Sequence, residues 1–159
     1  MGVSGCGKSS LAAAVSATLA LPLVEGDDHH GASNREKMQR GIALTDVDRA
    51  DWLDTLAGLL RAHPGGVMLT CSALKRTYRE RLRAAAPGLR FVFMDIAQAE
   101  AQRRVAARAG KHFFPPTLVA NQFATLESPV GEAGVLRVDA GLPLQEQREA
   151  VMRWLADLT

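Results

Sequence analysis

Residues 2–9 read Gly2-Val3-Ser4-Gly5-Cys6-Gly7-Lys8-Ser9: a glycine, four intervening positions, then Gly-Lys-Ser. This spacing suits a polyphosphate. Glycines let successive backbone N–H groups point into one concavity, and a helix that starts immediately afterwards adds the partial positive charge of its N-terminus. Lys8 is placed to bridge β- and γ-phosphates, and the Ser9 hydroxyl, with Ser10 behind it, to hold Mg²⁺. The chemistry implied is phosphoryl transfer from ATP with magnesium. Such a pattern also arises by chance in glycine-rich linkers, so the flanking elements decide its meaning. Cys6 sits at the tip of the loop, where a thiol is either a small tolerated side chain, the reading preferred here, or a redox sensor.

The elements around the loop alternate in periodicity. Leu11, Val15 and Leu19 recur every fourth residue, which predicts a helix over Lys8–Leu19 directly after the loop. A short apolar run at 21–24 reads as a buried strand delivering Glu25-Gly26-Asp27-Asp28-His29-His30 at its carboxyl end, and polar residues there suggest a site. Ser33 and Glu36 form a capping-box pattern for a short helix through Met38. Thr45 or Asp46 caps a longer helix carrying Trp52, Leu53, Leu56, Leu59 and Leu60. Strands follow at 67–71, 91–96 and 135–138, with helices at 75–86, 97–109, 116–126 and 144–158. The loop between two of these helices, about 108–118, reads as a lid. Strands alternating with helices predict an α/β fold: a parallel sheet covered on both faces, with ligands gathered outside the strands' carboxyl ends.

With 159 residues and 47% apolar content the chain can bury a core as one domain, 1–159, without linker or repeat. Its formal charge of +2, with basic residues scattered, lacks the stripe that nucleic acid needs. Its two cysteines, Cys6 and Cys71, are too far apart in type and context for a metal knuckle or disulfide scaffold. A reducing cytoplasm fits that cysteine usage, and no apolar run is long enough for a membrane span. Adjacent His29 and His30 tend to diverge, which argues against a metal pair.

Five ordered stretches carry a family resemblance over essentially the full length. They are residues 1–9; Gly26 and Asp27 with His30, Asn34, Lys37 and Met38; Gly41 with Leu44, Asp46, Asp48, Arg49, Trp52 and Leu53; Cys71-Ser72-Ala73-Leu74-Lys75 with Tyr78 and Arg79; and His112-Phe113-Phe114 with Gln122, Phe123, Leu126 and Glu127. In these the chain resembles the gluconate kinase family, which converts D-gluconate to 6-phosphogluconate. The resemblance implies a three-layer P-loop kinase fold of strand order 2-3-1-4-5, similar to nucleoside and shikimate kinases, and a homodimer as an expectation. Gluconate is a linear polyol with a carboxylate, so its site needs cations, hydroxyl partners and a base. Asp27 is the candidate carboxylate that orients the attacking hydroxyl, accepts its proton or holds a magnesium-bound water. Arg49 and Lys75 are the candidates for the acid group, then Arg79, with His30, Asn34, Lys37, His112 and Gln122 as polar contacts. Arg104 and Arg108 share a helical face and are candidates for closing over the phosphates, Arg108 stabilising transition-state charge. Residues 139–143, including Pro143, are similar to the family's adenine pocket.

The chain departs from the family at Gly31, Ala43 and Asp51, where proline is usual, at Cys6 and Asn121, where serine is usual, and at Lys111, where glycine is usual. Gly31 and Ala43 are expected to loosen the substrate-binding segment. A P-loop joins a strand to a helix, and only Met1 precedes this one. The expectation is that the first strand is missing from this chain, leaving two inner edges unpaired and a slot in the core, and that Met1 is a misplaced translation start. The alternatives to a gluconate kinase are a related shikimate-type kinase or a nucleotide-binding protein impaired by that truncation.

Overall fold

The computed structural model describes residues 1–108 and 115–157. Leu11 and Val15 bury the inner stripe of α1 (Lys8–Leu19), as their spacing predicts. β1 (Leu23–Glu25) runs into a 3₁₀ turn, Gly26–His29, which the sequence did not announce. Then come α2 (Ala32–Gln39), α3 (Asp46–Ala62), β2 (Met68–Thr70), α4 (Arg76–Ala85), β3 (Phe91–Asp95), α5 (Gln98–Ala107), α6 (Thr117–Thr125), β4 (Val135–Asp139) and α7 (Leu144–Ala156). Thr45 caps α3 in a complete capping box: its side chain accepts from Asp48 N, and the Asp48 carboxylate accepts from Thr45 N. The box expected from Ser33 and Glu36 does not form. α2 starts two residues earlier than that pattern needs, with Gly31 at its N-cap and no side-chain cap.

The strands are all parallel, as an alternating α/β order requires, but they pair as two half-sheets, β1 with β2 and β3 with β4. Met1 and Gly2 run between them. Met1 N donates to Val92 O at 2.6 Å, Met94 N donates to Met1 O at 3.0 Å, and Gly2 N donates to Ser72 O at 3.3 Å. The expected order 2-3-1-4-5 is therefore present, its middle position held by two residues rather than by a full strand. Alongside them an apolar cleft of about 430 Å³, lined by Leu11, Val15, Leu60, Phe91, Val92 and Val151 among others, separates the halves.

Two apolar clusters cover the sheets. Trp52, Leu53, Leu56 and Leu60 of α3 meet Tyr78 and Leu82 of α4 and Phe91 and Phe93 of β3. On the opposite side Leu11 and Val15 of α1 meet Met94, Val138 and Val151 of α7. Among the described residues no helix is long and apolar enough to cross a membrane.

Candidate active site

The loop of residues 2–7 turns through glycines that no other residue replaces without strain: φ is +83° at Gly5 and +89° at Gly7. A Cβ on Gly5 would lie 2.8 Å from Ala101 O, whereas one on Gly7 would meet nothing within 4 Å, so Gly5 is needed for close packing and Gly7 for its backbone conformation. Lys8 Nζ folds over this loop, 3.3 Å from Val3 O. Burial lowers the lysine's pKa, but surrounding negative groups, Asp27 and Glu25 among them, outweigh it and the ammonium is held charged. Cys6 is 1% exposed beneath the loop, which agrees with a packing role.

Ser9 Oγ donates to Glu25 Oε2 at 2.9 Å, and Thr70 Oγ1 donates to the same oxygen at 2.6 Å. A hydroxyl and a carboxylate side by side at the phosphate loop are hard oxygen donors of the kind Mg²⁺ takes in nucleotide sites, where substrate phosphates and waters complete its shell. The residues present fit the ion.

Beyond β1 the 3₁₀ turn sets Asp27 and His30 over the loop. Gly26 makes this possible. Its N–H donates to Thr70 Oγ1, its carbonyl accepts from Trp52 Nε1 at 2.8 Å, and a Cβ there would lie 2.1 Å from Thr70 O. Asp27, His30, Arg49, Trp52, Ser72, Asn121 and Gln122 line one polar pocket together with Ser4 and Lys8. The His30 ring stacks on Trp52 with centroids 4.3 Å apart. Gln122 Oε1 accepts from Ser4 N at 2.6 Å, tying α6 to the phosphate loop across 118 residues of sequence.

A wider polar recess of about 430 Å³ adjoins this pocket through Leu44, Arg49 and Asn121, and adds Asp46, Lys75, Thr125 and Glu127. Lys75 Nζ lies 2.9 and 3.0 Å from the two Asp46 oxygens, and Tyr78 Oη donates to Asp46 as well. The Tyr78 and Lys75 hydrogen bonds hold the Asp46 carboxyl below its usual range. Arg49 differs. It is 8% exposed, donates to Leu44 O and lies over the Tyr78 ring, yet it has no carboxylate partner among the described residues. A buried guanidinium without a counter-anion is poised to take one.

At the other end of the loop, Arg104 pairs with Glu100 at 2.7 Å and donates to Ala140 O at 3.1 Å, joining α5 to the turn at 139–143. Pro143 is the N-cap of α7 there. Arg108 is exposed at the end of α5, its Nε 3.4 Å from Arg104 O.

A family model described as an AAA domain matches residues 1–129. The gluconokinase of Gluconobacter oxydans is 45% identical over 142 residues, covering 87% of this chain and 79% of that protein. The thermoresistant gluconokinase of Escherichia coli is 40% identical over 149 residues, 91% of this chain and 85% of that one. A crystal structure of a gluconokinase from Sinorhizobium meliloti superposes with a TM-score of 0.90 at 43% identity, covering 99% of this chain and 90% of the other. The chain belongs to the gluconokinase family. A Mycobacterium tuberculosis APS kinase, at 23% identity and a TM-score of 0.68, shares the fold.

Within this gluconokinase-family site the residues named from the sequence divide. Ser4, Lys8, Asp27, His30, Arg49 and Gln122 meet in one pocket, and Lys75 lies in the adjoining recess. Asn34 and Lys37 stand behind it: Asn34 bonds His30 and Asp48 O, and Lys37 pairs with the Asp48 carboxylate at 2.6 Å. Arg79 is not brought to the pocket. It is 0% exposed, donating to Ala73 O and Leu74 O and pairing with Glu132, so this basic residue, four positions after Lys75, is a strut of the core. His112 lies outside the described residues, as does most of the lid. Glu25 and Thr70 were missed. The signal for Glu25 was its place at the end of a strand facing the phosphate loop, two residues before Asp27.

Proposed function

We propose that the protein transfers the γ-phosphoryl group of ATP to the terminal hydroxyl of D-gluconate, forming 6-phospho-D-gluconate. One observation carries the reading: a buried Arg49 with no carboxylate partner among the described residues shares a pocket with Lys8 of the phosphate loop and Asp27. A cation at one end and a phosphate loop at the other match a polyol acid whose carboxylate and reacting hydroxyl are at opposite ends.

In this reading the loop amides and Lys8 hold the polyphosphate, and Asp27 orients the attacking hydroxyl and takes its proton as the O–P bond forms. Arg49, with Lys75 beside it, grips the carboxylate and fixes the far end of the chain, so that the hydroxyl is presented in line. Ser9, with Glu25 behind it, would hold Mg²⁺, which draws charge from the transferring phosphoryl oxygens. Arg104 fixes the turn at 139–143 as one wall for the adenine, and Arg108 would supply a cation to the phosphates in the transition state. A homodimer and a cytoplasmic location belong to the same reading. Sedimentation velocity and fractionation test them.

The test is ADP release coupled to a reporter, with gluconate as acceptor. Turnover with gluconate and none with shikimate or nucleosides supports the reading. Arg49→Met is expected to raise KM for gluconate at least about 100-fold, the loss of one charge-assisted pairing with its buried partner left unmatched, and to leave KM for ATP unchanged. Equal effects on both substrates refute Arg49 as the carboxylate anchor.

A further inference from the structure

We propose that His30 is held as the neutral Nε2–H tautomer and donates that hydrogen to a hydroxyl oxygen of the acceptor substrate, making it a specificity-determining contact and not a base. This rests on the reading that the pocket takes a polyol acid. The inference begins at Asn34, which is buried at 8% exposure. Its Nδ2 lies 2.7 Å from Asp48 O and 3.3 Å from His30 Nδ1. A backbone carbonyl only accepts, so the amide end facing Asp48 is the NH₂ group, and the side-chain orientation is fixed by chemistry. The same NH₂ then presents its second hydrogen to His30 Nδ1. That nitrogen must accept, and the ring proton of a neutral imidazole must sit on Nε2.

Asp48 is itself immobilised. Its carboxylate accepts from Lys37 Nζ and from Thr45 N in the capping box that starts α3, so the carbonyl that orients Asn34 cannot drift. The His30 ring lies flat on Trp52, 14° from parallel, and Trp52 is anchored by its hydrogen bond to Gly26 O. One ring face and one nitrogen are thus committed. His30 is 8% exposed and lines the pocket that also holds Asp27 and Lys8; Nε2 has no partner among the described residues, and none of their buried side-chain nitrogens or oxygens lacks one, so Nε2 lies on the exposed edge of the ring. A donor that opens to the pocket is free to bond an acceptor placed there.

The charged form is excluded from every side but one. Burial opposes it most, Arg49 from α3 and Arg35 from α2 repel it, and Asp27 from the 3₁₀ turn favours it; together they push the imidazole down to about 4. A neutral donor reads a hydroxyl, while a carboxylate is drawn instead to Arg49. The two contacts give the substrate one direction in the pocket, and they leave proton acceptance to Asp27, since His30 offers no free lone pair.

The experiment is ¹⁵N NMR of the histidine rings in the unaltered protein, with kinetics of three variants. Nδ1 is expected to show the shift of an unprotonated nitrogen and Nε2 that of N–H, unchanged from about pH 8 down to pH 5. Asn34→Asp puts an acceptor opposite Nδ1 and is expected to move the proton there and bring the His30 titration up into that range. His30→Phe keeps a ring on Trp52 but has no donor; KM for gluconate is expected to rise about three- to tenfold with kcat within about twofold, the size of one neutral hydrogen bond. His30→Gln, which restores an N–H, is expected to recover part of that loss. A protonated Nδ1 in the unaltered protein, or an unchanged KM in His30→Phe, overturns the proposal. The ring spectrum decides even if a variant fails to fold. It also stands whether or not gluconate is the substrate, which turnover by the unaltered protein tests separately.

Discussion

Replacing Gly26 by alanine tests how the fold positions its chemistry. The backbone dihedrals there are not of the left-handed kind, so the added methyl group acts through space alone. Its Cβ would stand 2.1 Å from Thr70 O, and real Cβ atoms essentially never come within 3.0 Å of such a neighbour, so β1 and β2 must part by about 0.9 Å. The obstructing atom is strand backbone and cannot rotate away. Parting the strands also strains the Gly26 N to Thr70 Oγ1 and Trp52 Nε1 to Gly26 O hydrogen bonds. Overpacking of this kind costs about 3 kcal/mol, which for a domain of this size lowers the melting temperature by roughly 6–12 °C. Asp27 follows Gly26 directly, and a displacement of about 1 Å at a reacting group costs on the order of 100-fold in rate. Differential scanning fluorimetry and the coupled ADP assay read both effects. Gly31→Ala is the control: its Cβ would meet nothing within 4 Å, and the change is expected to stay within about 0.5 kcal/mol. A Gly26→Ala protein with unaltered melting temperature and kcat would refute the argument that this glycine holds the strands at contact distance.

Gly31→Pro is expected to stabilise the protein by about 0.5–1 kcal/mol, seen as a higher urea midpoint, because Gly31 has φ −65°, His30 before it has ψ 135°, and the Gly31 N–H has no acceptor among the described residues. Arg79→Met leaves Glu132 with Arg83 alone and Ala73 O without a donor, Leu74 O keeping that of Glu127 N; a loss of about 3–5 kcal/mol is expected with KM for gluconate unchanged, and a KM effect in folded protein would return Arg79 to the substrate site. His30 is lowered from 6.5 to about 4 on folding, so between those values the unfolded chain binds more protons than the folded one. Its contribution is complete above about pH 6.5 and is lost as pH falls toward 4, by on the order of 3 kcal/mol; a urea series across that range with Asn34→Asp alongside checks it. Burial pushes the Cys71 thiol up to about 12, and Cys6 is equally covered, so a thiol reagent is expected to label both only after denaturation, with native activity unaffected.

The readable parts of the sequence were those whose partners are near in the chain. The phosphate loop declared itself because glycine spacing, Lys8 and Ser9 act within eight residues. The helices declared themselves through stripes such as Leu11 and Val15, and Thr45 through a cap only three residues from Asp48. Ser33 and Glu36 misled for the same local reason: the pattern was right, but the chain enters α2 at Ala32, where packing of the preceding turn sets the start.

What only the tertiary structure decided is which side chains meet across long stretches of chain. Arg79 and Lys75 are both basic residues after the same strand, yet one is sealed on Glu132, 53 positions away, while the other opens into the recess. Glu25 joins the Ser9 site because β1 ends beside the loop, and Gln122 reaches Ser4 because α6 folds back over it. The His30 tautomer depends on an amide whose orientation is set by a carbonyl in another helix. The glycine-lysine-serine loop therefore determined that phosphate is handled, since the chemistry of backbone amides and one cation is local. Which hydroxyl faces it, and in what direction, belongs to the packing of α2, α3 and α6, because periodicity fixes the face a residue occupies but not the atom it meets.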